Sequence, residues 1–543
     1  MDGTTPVEDP VLTIPLNQVR PAQLANGNRF HRLDRQESYF RKQQDEHKGY
    51  DWAGYFYGYG AQSLVRPGYY VPYSQRRPAA RYDLATIAVR RFTALLFGAE
   101  RFPKISIPDD ENADRFLRAL LKAANVPVRS IEWRNLGGAI GSVGLSYGFV
   151  DGQPRVNIHN AKHLTVLDWA DAETWTPRAV LKTYSYPRDV WDPATKKVVT
   201  TTLYYVRYWD ENVDVLWEPM TQKVAEEANW RAAPHRTVVH RMGRCPVIWV
   251  QNIHDSENAD GEGDYEGLEP NLDEINQLLS SGSAGVKANN DPTLVVHAPP
   301  KQNTGALKKG SENAIFSEGG ASYLELSGTA SAATLATAEG LRAATLDAMS
   351  VVIADPEKLS GAAQSAAALR ILYAPMLAAA DERRATYGAA LVTLCKELLR
   401  GARMILGTKT IDDEGREFAG TVQLGPEFEK NEDGSVTPVK LEPGKSEAVE
   451  LNWSPYFSPT WTDIQAATTA TQAACGSKSI ISQRTAVAAV SELFGVTDVD
   501  AELKAIGEDE EASLERAQRA MEEGGPVPPG TKDDEEEPPS TDE

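Results

Sequence analysis

Tyr265-Glu-Gly-Leu-Glu-Pro-Asn-Leu-Asp-Glu-Ile-Asn-Gln-Leu-Leu-Ser280 is the stretch whose reading decides the fold. Leu268, Leu272, Ile275, Leu279 and Val286 fall at spacings of three, four or their multiples, which predicts one apolar stripe on a helix over 264–290. Asp264, Glu266, Glu269, Asp273 and Glu274 crowd its N-terminal half, where the helix dipole favours anions. Pro270 is tolerable only near a first turn, so the helix can begin a few residues later. Asp291-Pro292 closes the far end, because the residue before a proline leaves the α region.

Residues 291–330 read as short strands around a turn. Thr293–Val296 and Ser322–Leu326 are apolar and β-prone, and the tip is Gly305-Ala-Leu-Lys-Lys-Gly310. A second helix follows over 331–354, aligning Leu335, Ala338, Leu341, Thr345, Met349 and Ile353. Asp355-Pro-Glu-Lys-Leu-Ser-Gly361 breaks it. A third helix, over 365–406, exceeds the usual globular length of about 11–12 residues and contains Pro375, which predicts a kink. Two apolar-striped helices flanking a small strand insert would leave a lone subunit exposed along both stripes, and packing copies side by side would cover them.

The chain of 543 residues calls for more than one core, and its 41% hydrophobic content is enough to fill them. No run of ~18 apolar residues is present, and Met1-Asp-Gly-Thr-Thr-Pro lacks a basic-then-apolar leader, so a soluble, unsecreted protein is expected. Cys245, Cys395 and Cys475 are three in number, far apart and without Cys-x-x-Cys spacing, which predicts buried free thiols. The formal charge is −21, but residues 507–543 alone hold 14 acidic against 3 basic side chains. The Gly/Pro/acid-rich end, 523–543, is therefore expected to be a disordered solubilising tail. Between 264 and 350 there are 11 acidic and 5 basic residues, so no concentrated cationic stripe is available to grip phosphates.

Residues 1–50 are expected to form a flexible or surface-wrapping arm. Tyr50, Trp52, Tyr55, Phe56, Tyr57 and Tyr59 then gather as a satellite core or an interface. Helices are predicted near 79–97, 113–124 and 128–142, and period-two strands at 178–186, 200–208 and 247–251. Helices return at 463–474, at 482–494 with Ser482 as N-cap, and at 500–521.

Motifs for chemistry are weak. Gly137-Gly-Ala-Ile-Gly-Ser-Val-Gly144 lacks both the dinucleotide spacing and a Gly-Lys-Ser/Thr, and reads as close packing or a turn. His159-x-x-x-His163 has no accompanying Glu and lies in strand context, so a packing role is expected rather than a metal. The acidic segment Asp255–Asp264 lacks calcium-loop spacing and reads as a solvated loop. No Gly-x-Ser-x-Gly occurs. No catalytic residue, metal or cofactor is expected.

The order of these segments resembles the portal proteins of tailed bacteriophages, of the siphovirus type. The carrying residues are Tyr265–Ser280 leading into Asp291–Val296, the bend Pro356-Glu-Lys-Leu-Ser-Gly-Ala-Ala363, Asn452-Trp-Ser-Pro-Tyr-Phe-Ser-Pro-Thr-Trp-Thr-Asp463, and Ile480-Ile-Ser-Gln-Arg-Thr-Ala486. The likeness spans roughly residues 80–510 through order rather than any invariant signature. It implies an α+β portal fold, with a wing over 51–263, a stem helix over 264–290, a clip over 291–330 and a second stem helix over 331–354. It further implies a tunnel loop over 355–364, a long kinked wing helix over 365–406, wing strands over 407–460 and a helical crown over 461–522.

By the same resemblance the chain would form a dodecameric ring at one capsid vertex of the virion, assembled in the host cytoplasm. Double-stranded DNA would pass through it without sequence preference. Terminase large subunit, head-completion adaptor, major capsid protein and scaffold would be its partners, with no membrane involved. Glu357, Lys358, Leu359 and Ser360 would line the channel. Lys301, Leu307, Lys308 and Lys309 would meet partners at the clip, and Leu268, Leu272, Ile275, Leu279, Leu341 and Met349 would join subunits along the stem. Without a Walker motif, energy for DNA movement would come from the terminase. The competing readings are another phage head protein, such as a head-completion or minor capsid protein, and a hydrolase.

Overall fold

The computed structural model describes residues 27–42, 81–98, 101–192, 196–221, 236–240, 242–289, 293–297, 314–317, 320–324, 329–353, 366–407, 409–411, 417–425, 427–430, 436–439, 441–457, 461–475, 480–494, 496 and 499–522. They divide into two units, Met1–Ile353 with Tyr373–Tyr456, and Ala354–Leu372 with Phe457–Glu543.

The first unit opens with α1 (Gly27–Phe40), α2 (Leu84–Phe97), β1 (Lys104–Ser106), α3 (Glu111–Ala123) and α4 (Val126–Ile140). Asp110 caps α3 by accepting the Ala113 N–H at 3.0 Å. Strands β2 (Ser142–Val150), β3 (Gln153–Asn160), β4 (Leu164–Asp171), β5 (Thr176–Asp192), β6 (Lys197–Trp209), β7 (Val213–Leu216), β8 (Met220–Thr221), β9 (Arg236–Val239) and β10 (Val247–Gln251) follow. They form two antiparallel sheets, β10-β2-β3 and β4-β5-β6-β7-β9, with β8 beside β6.

Side chains alternate across the larger sheet as the period of two requires. Ala179, Leu181, Val206 and Tyr208 fill one core, whereas the intervening Val180 and Trp209 join Leu33, Ile140, Leu164 and Trp249 on the other face.

Two helices then enclose a small sheet: α5 (Glu269–Asn289), β11 (Thr293–His297), β12 (Ala314–Ser317), β13 (Gly320–Leu324) and α6 (Thr329–Ala348). Strand β11 is central, parallel to β12 and antiparallel to β13. At 21 and 20 residues, α5 and α6 are each about 30 Å long.

After α7 (Ala366–Leu372), which belongs to the second unit, the first unit resumes with α8 (Ala374–Gly407). Met376, Ala380, Arg383, Tyr387, Leu391, Leu394, Leu398 and Ala402 lie buried along α8 at helical spacing, making it the spine of the largest core. Short pairs β14 (Lys409–Ile411) with β15 (Glu417–Ala419), and β16 (Glu427–Lys430) with β17 (Val436–Val439), lead to β18 (Glu450–Asn452), which pairs with β1. The second unit continues with α9 (Trp461–Cys475), α10 (Gln483–Phe494) and α11 (Val499–Glu522). Ser482 caps α10, its Oγ accepting the Thr485 N–H at 3.2 Å.

Several expectations need correction. The long third helix is interrupted at Tyr373, which is a turn, so Pro375 stands second in α8 where its missing N–H is harmless. Part of the N-terminal arm is the ordered helix α1, with Leu33 and Tyr39 buried. The helix expected to reach 142 ends at Ile140, and Ser142–Gly144, within the stretch read as close packing or a turn, opens the strand β2. The second stem helix ends at Ala348 rather than 354, where Ser350 takes a φ of 54°. Cys245 and Cys395 are buried thiols as expected, whereas Cys475 is half-buried. The aromatic segment 50–59 and the acidic tail 523–543 lie outside the described residues.

Gly141 ends α4 in the left-handed region at φ 82°, and a Cβ there would overlap the Gly261 carbonyl. Gly141→Ala is therefore expected to cost at least ~2 kcal/mol. Urea unfolding followed by circular dichroism measures this, and an unchanged midpoint would contradict the close approach.

Candidate assembly site

The root of α5 is held by a buried carboxylate. Asp264 is fully enclosed, and its oxygens accept from Arg134 Nη2 at 2.9 and 3.1 Å, Arg383 Nε at 2.9 Å and Asn252 Nδ2 at 3.1 Å. Arg134 comes from α4, Arg383 from α8 and Asn252 from the end of β10, so one side chain gathers three elements. The guanidinium of Arg134 lies over Phe92 and Tyr387, and that of Arg383 is 4.2 Å from the centre of Phe92. Burial alone would raise the Asp264 carboxyl, but the two arginines overcome it and hold the group below its usual value.

This corrects the solvated-loop reading of Asp255–Asp264. Asp260 is also buried, bound by Arg29 Nε at 2.6 Å and Arg32 Nη2 at 3.0 Å from α1. Two further bonds tie α1 to the start of α5, Tyr265 Oη donating to the Gln36 carbonyl at 2.5 Å and Tyr39 Oη to Asp273 at 2.8 Å.

The stem residues expected at a subunit boundary divide into two groups. Leu272, Ile275 and Met349 are buried within this chain's own main core, which corrects their assignment to a neighbour. The physical reason is that these side chains join one buried cluster with residues of α2 and α8, without a second copy. Leu268, Leu279 and Leu341 are half-buried at the edge of that core.

Exposed apolar surface lies further along the pair. Val286 is 45% and Leu335 41% exposed. The outward face of α6 presents Ala332, Ala333, Ala336, Gly340, Ala343 and Ala344, interrupted by the charges of Glu339 and Asp347. A solvent-facing helix normally carries a charged outer face. That face was missed in the sequence because alanine scores as neither core nor surface.

The tunnel-loop residues Glu357, Lys358, Leu359 and Ser360, and the clip residues Lys301, Leu307, Lys308 and Lys309, lie outside the described residues. His159 and His163 lie in the first unit, on β3 and just before β4. His159 Nε2 lies 2.7 Å from Ser146 Oγ, and Nδ1 lies 2.9 Å from Lys182 Nζ. An ammonium can only donate, so Nδ1 accepts and neither ring nitrogen is left for a metal. Burial, with Lys182 and Arg207 nearby, keeps His159 neutral, while burial and Lys162 lower His163 to about 4.

Against this geometry, the sequence matches the family of phage portal proteins, SPP1 Gp6-like, over residues 75–516. This chain belongs to the phage portal proteins. No curated protein matches it. The family match leaves α1 outside, so the ion pairs from Arg29 and Arg32 to Asp260 join a segment beyond the matched region to the portal body. Among the described residues no helix is long and apolar enough to cross a membrane.

Asp264→Asn leaves two buried guanidinium groups uncompensated and is expected to destabilise the first unit by about 3–5 kcal/mol at neutral pH. The folded carboxyl titrates below its unfolded value of about 3.9, so its contribution is complete above that value and is lost as pH falls through the lower folded one. Urea midpoints across pH 2–7 should therefore fall more steeply in acid for the wild type than for the variant. Parallel curves would contradict the assignment.

Proposed function

We propose that this portal protein acts as one subunit of a closed, dodecameric ring at a single capsid vertex, through which the genome enters and leaves. The observation that carries the reading is the charge-poor outer face of α6, which a lone chain leaves in water. Copies related by rotation would cover it with the neighbouring stem, and a head-to-tail contact that closes has no free ends. Small side chains at Ala336, Gly340 and Ala343 suit close helix packing at the 8–10 Å spacing of packed helices. The portal family is structural rather than enzymatic, and we assign the chain no catalytic role.

In this arrangement β11, β12 and β13 form the clip, the docking surface for terminase during packaging and afterwards for a head-completion adaptor. Lys301, Leu307, Lys308 and Lys309 are the contact residues assigned there. Residues 355–364 form the tunnel loop, where Lys358 touches passing phosphates, flanked by Glu357, Leu359 and Ser360. The acidic excess over 264–350 disfavours tight adhesion of a duplex, which suits a conduit in which DNA must slide. Packing against the major capsid protein and scaffold would fix the ring at its vertex.

Two substitutions test this. Ala343→Lys places a charge in the α6 seam while leaving the helix itself unharmed, since Glu339 and Asp347 stand four residues before and after it. Sedimentation velocity should show the wild type as a large closed species and the variant as smaller ones at unchanged helicity; equal sedimentation would remove α6 from the seam. Lys358→Glu is expected to lower DNA packaging with assembly intact, and unchanged packaging would remove its assigned role.

A further inference from the structure

The β5–β6 hairpin outruns its sheet. Strand β4 pairs with β5 up to Lys182, and β8 pairs with β6 at Leu203 and Tyr204. Beyond these, Pro187–Asp192 and Lys197–Thr202 pair with each other alone among the described strands. The result is a two-stranded ribbon reaching about 20 Å into solvent. Its end is apolar, with Trp191 59%, Val198 62% and Val199 44% exposed, and Trp191 directly opposite Val198. A bare two-stranded ribbon is marginally stable in water, and an indole at its end is a costly group to leave exposed.

The same unit contains an open cavity of about 600 Å³ beside α8. Tyr147, Trp175 and Trp249 form its aromatic walls, and Ala389, Ala390 and Thr393 line it from α8. Both indole N–H groups of the walls are already engaged, Trp175 with the Asp255 carbonyl at 2.9 Å and Trp249 with the Ala259 carbonyl at 2.7 Å. What they offer an occupant is therefore apolar ring surface. The volume is ample for an indole and an adjoining valine.

We propose that the ribbon is an arm that seats Trp191 and Val198 in this cavity of a second copy of the chain. Charge complementarity selects that occupant. The arm carries Arg188, Lys196 and Lys197 against Asp189 and Asp192, and Asp189 is already bonded to Thr200 at 2.7 Å. The cavity is lined by Glu211 and Glu397 against Arg244, which pairs with Glu397 at 3.0 Å; Arg178 lies 3.4 Å from Glu211, and the turn that lines the cavity through Thr174–Thr176 adds Asp171 and Glu173, which leaves an acidic excess. Because knob and hole are different patches of one surface, the contact is heterologous and can propagate around a ring. The inference rests on the self-association proposed above and adds where neighbouring wings lock.

The test mixes two single-site variants, Val199→Cys, which keeps Trp191 and Val198, and Ala389→Cys, each in a Cys475→Ser background, with a short bis-maleimide. Cys245 borders the cavity, but burial pushes its thiol up to about 12, so it stays unreactive. The expected product is a species of dimer mass on denaturing electrophoresis, formed in the mixture and in neither variant alone. Trp191→Ala should also weaken association about thirtyfold or more, as loss of a buried aromatic anchor does. Rings that assemble normally from Trp191→Ala chains and give no cross-link would overturn the arm while leaving the ring. Monomers throughout would overturn both.

Discussion

A carboxylate without water organises the larger unit. Asp264 takes its partners from α4 and α8, at sequence separations of 130 and 119 residues, so the loop before α5 is fixed by groups remote in the chain. A buried charge of this kind is tolerable only because two guanidinium groups and an amide satisfy it, and any one of them removed leaves the others stranded. Its position matters because α5 starts five residues later. The α5–α6 pair thereby springs from a rigid root, while the outer face of α6 stays mostly alanine and glycine, interrupted by Glu339 and Asp347.

That division between root and outer face would be the physical basis for the proposed assembly. Hydrophobic burial has already been spent at Leu272, Ile275 and Met349, inside the chain itself. What remains along α6 is small and weakly polar, which gives close fit rather than a large transfer free energy to each contact. A ring repeats such a seam around its axis. The projecting ribbon would add an aromatic anchor to each repeat, well away from the stem.

How much of this could be read in the chain varies by residue. Helical periodicity located α5 within a few residues and Ser482 marked the start of α10, but α6 ends at Ala348 rather than 354 and the helix expected over 365–406 is split into α7 and α8. Periodicity shows that a face is covered without showing what covers it, so Leu272 and Ile275 were assigned to a neighbour when their partner is the same chain. Asp264 looked like one more acid in an acidic loop, because nothing local marks Arg134 and Arg383 as its partners. Helix α1 was missed for a related reason: ion pairs to Asp260, 228 and 231 residues away, help to hold it, and such bonds leave no local pattern. In Gly137–Gly144 the glycines suggested close packing or a turn, and close packing is what Gly144 serves, in a strand with Leu164 lying against it. The tunnel-loop and clip-tip assignments rest on resemblance to a family rather than on any physical signal of their own.

Single-particle electron microscopy of the purified full-length chain at micromolar concentration tests the central claim most directly. The account predicts closed rings of uniform subunit number around an open axial hole, with paired helices forming the wall. Solitary compact particles that persist as the concentration rises would contradict it.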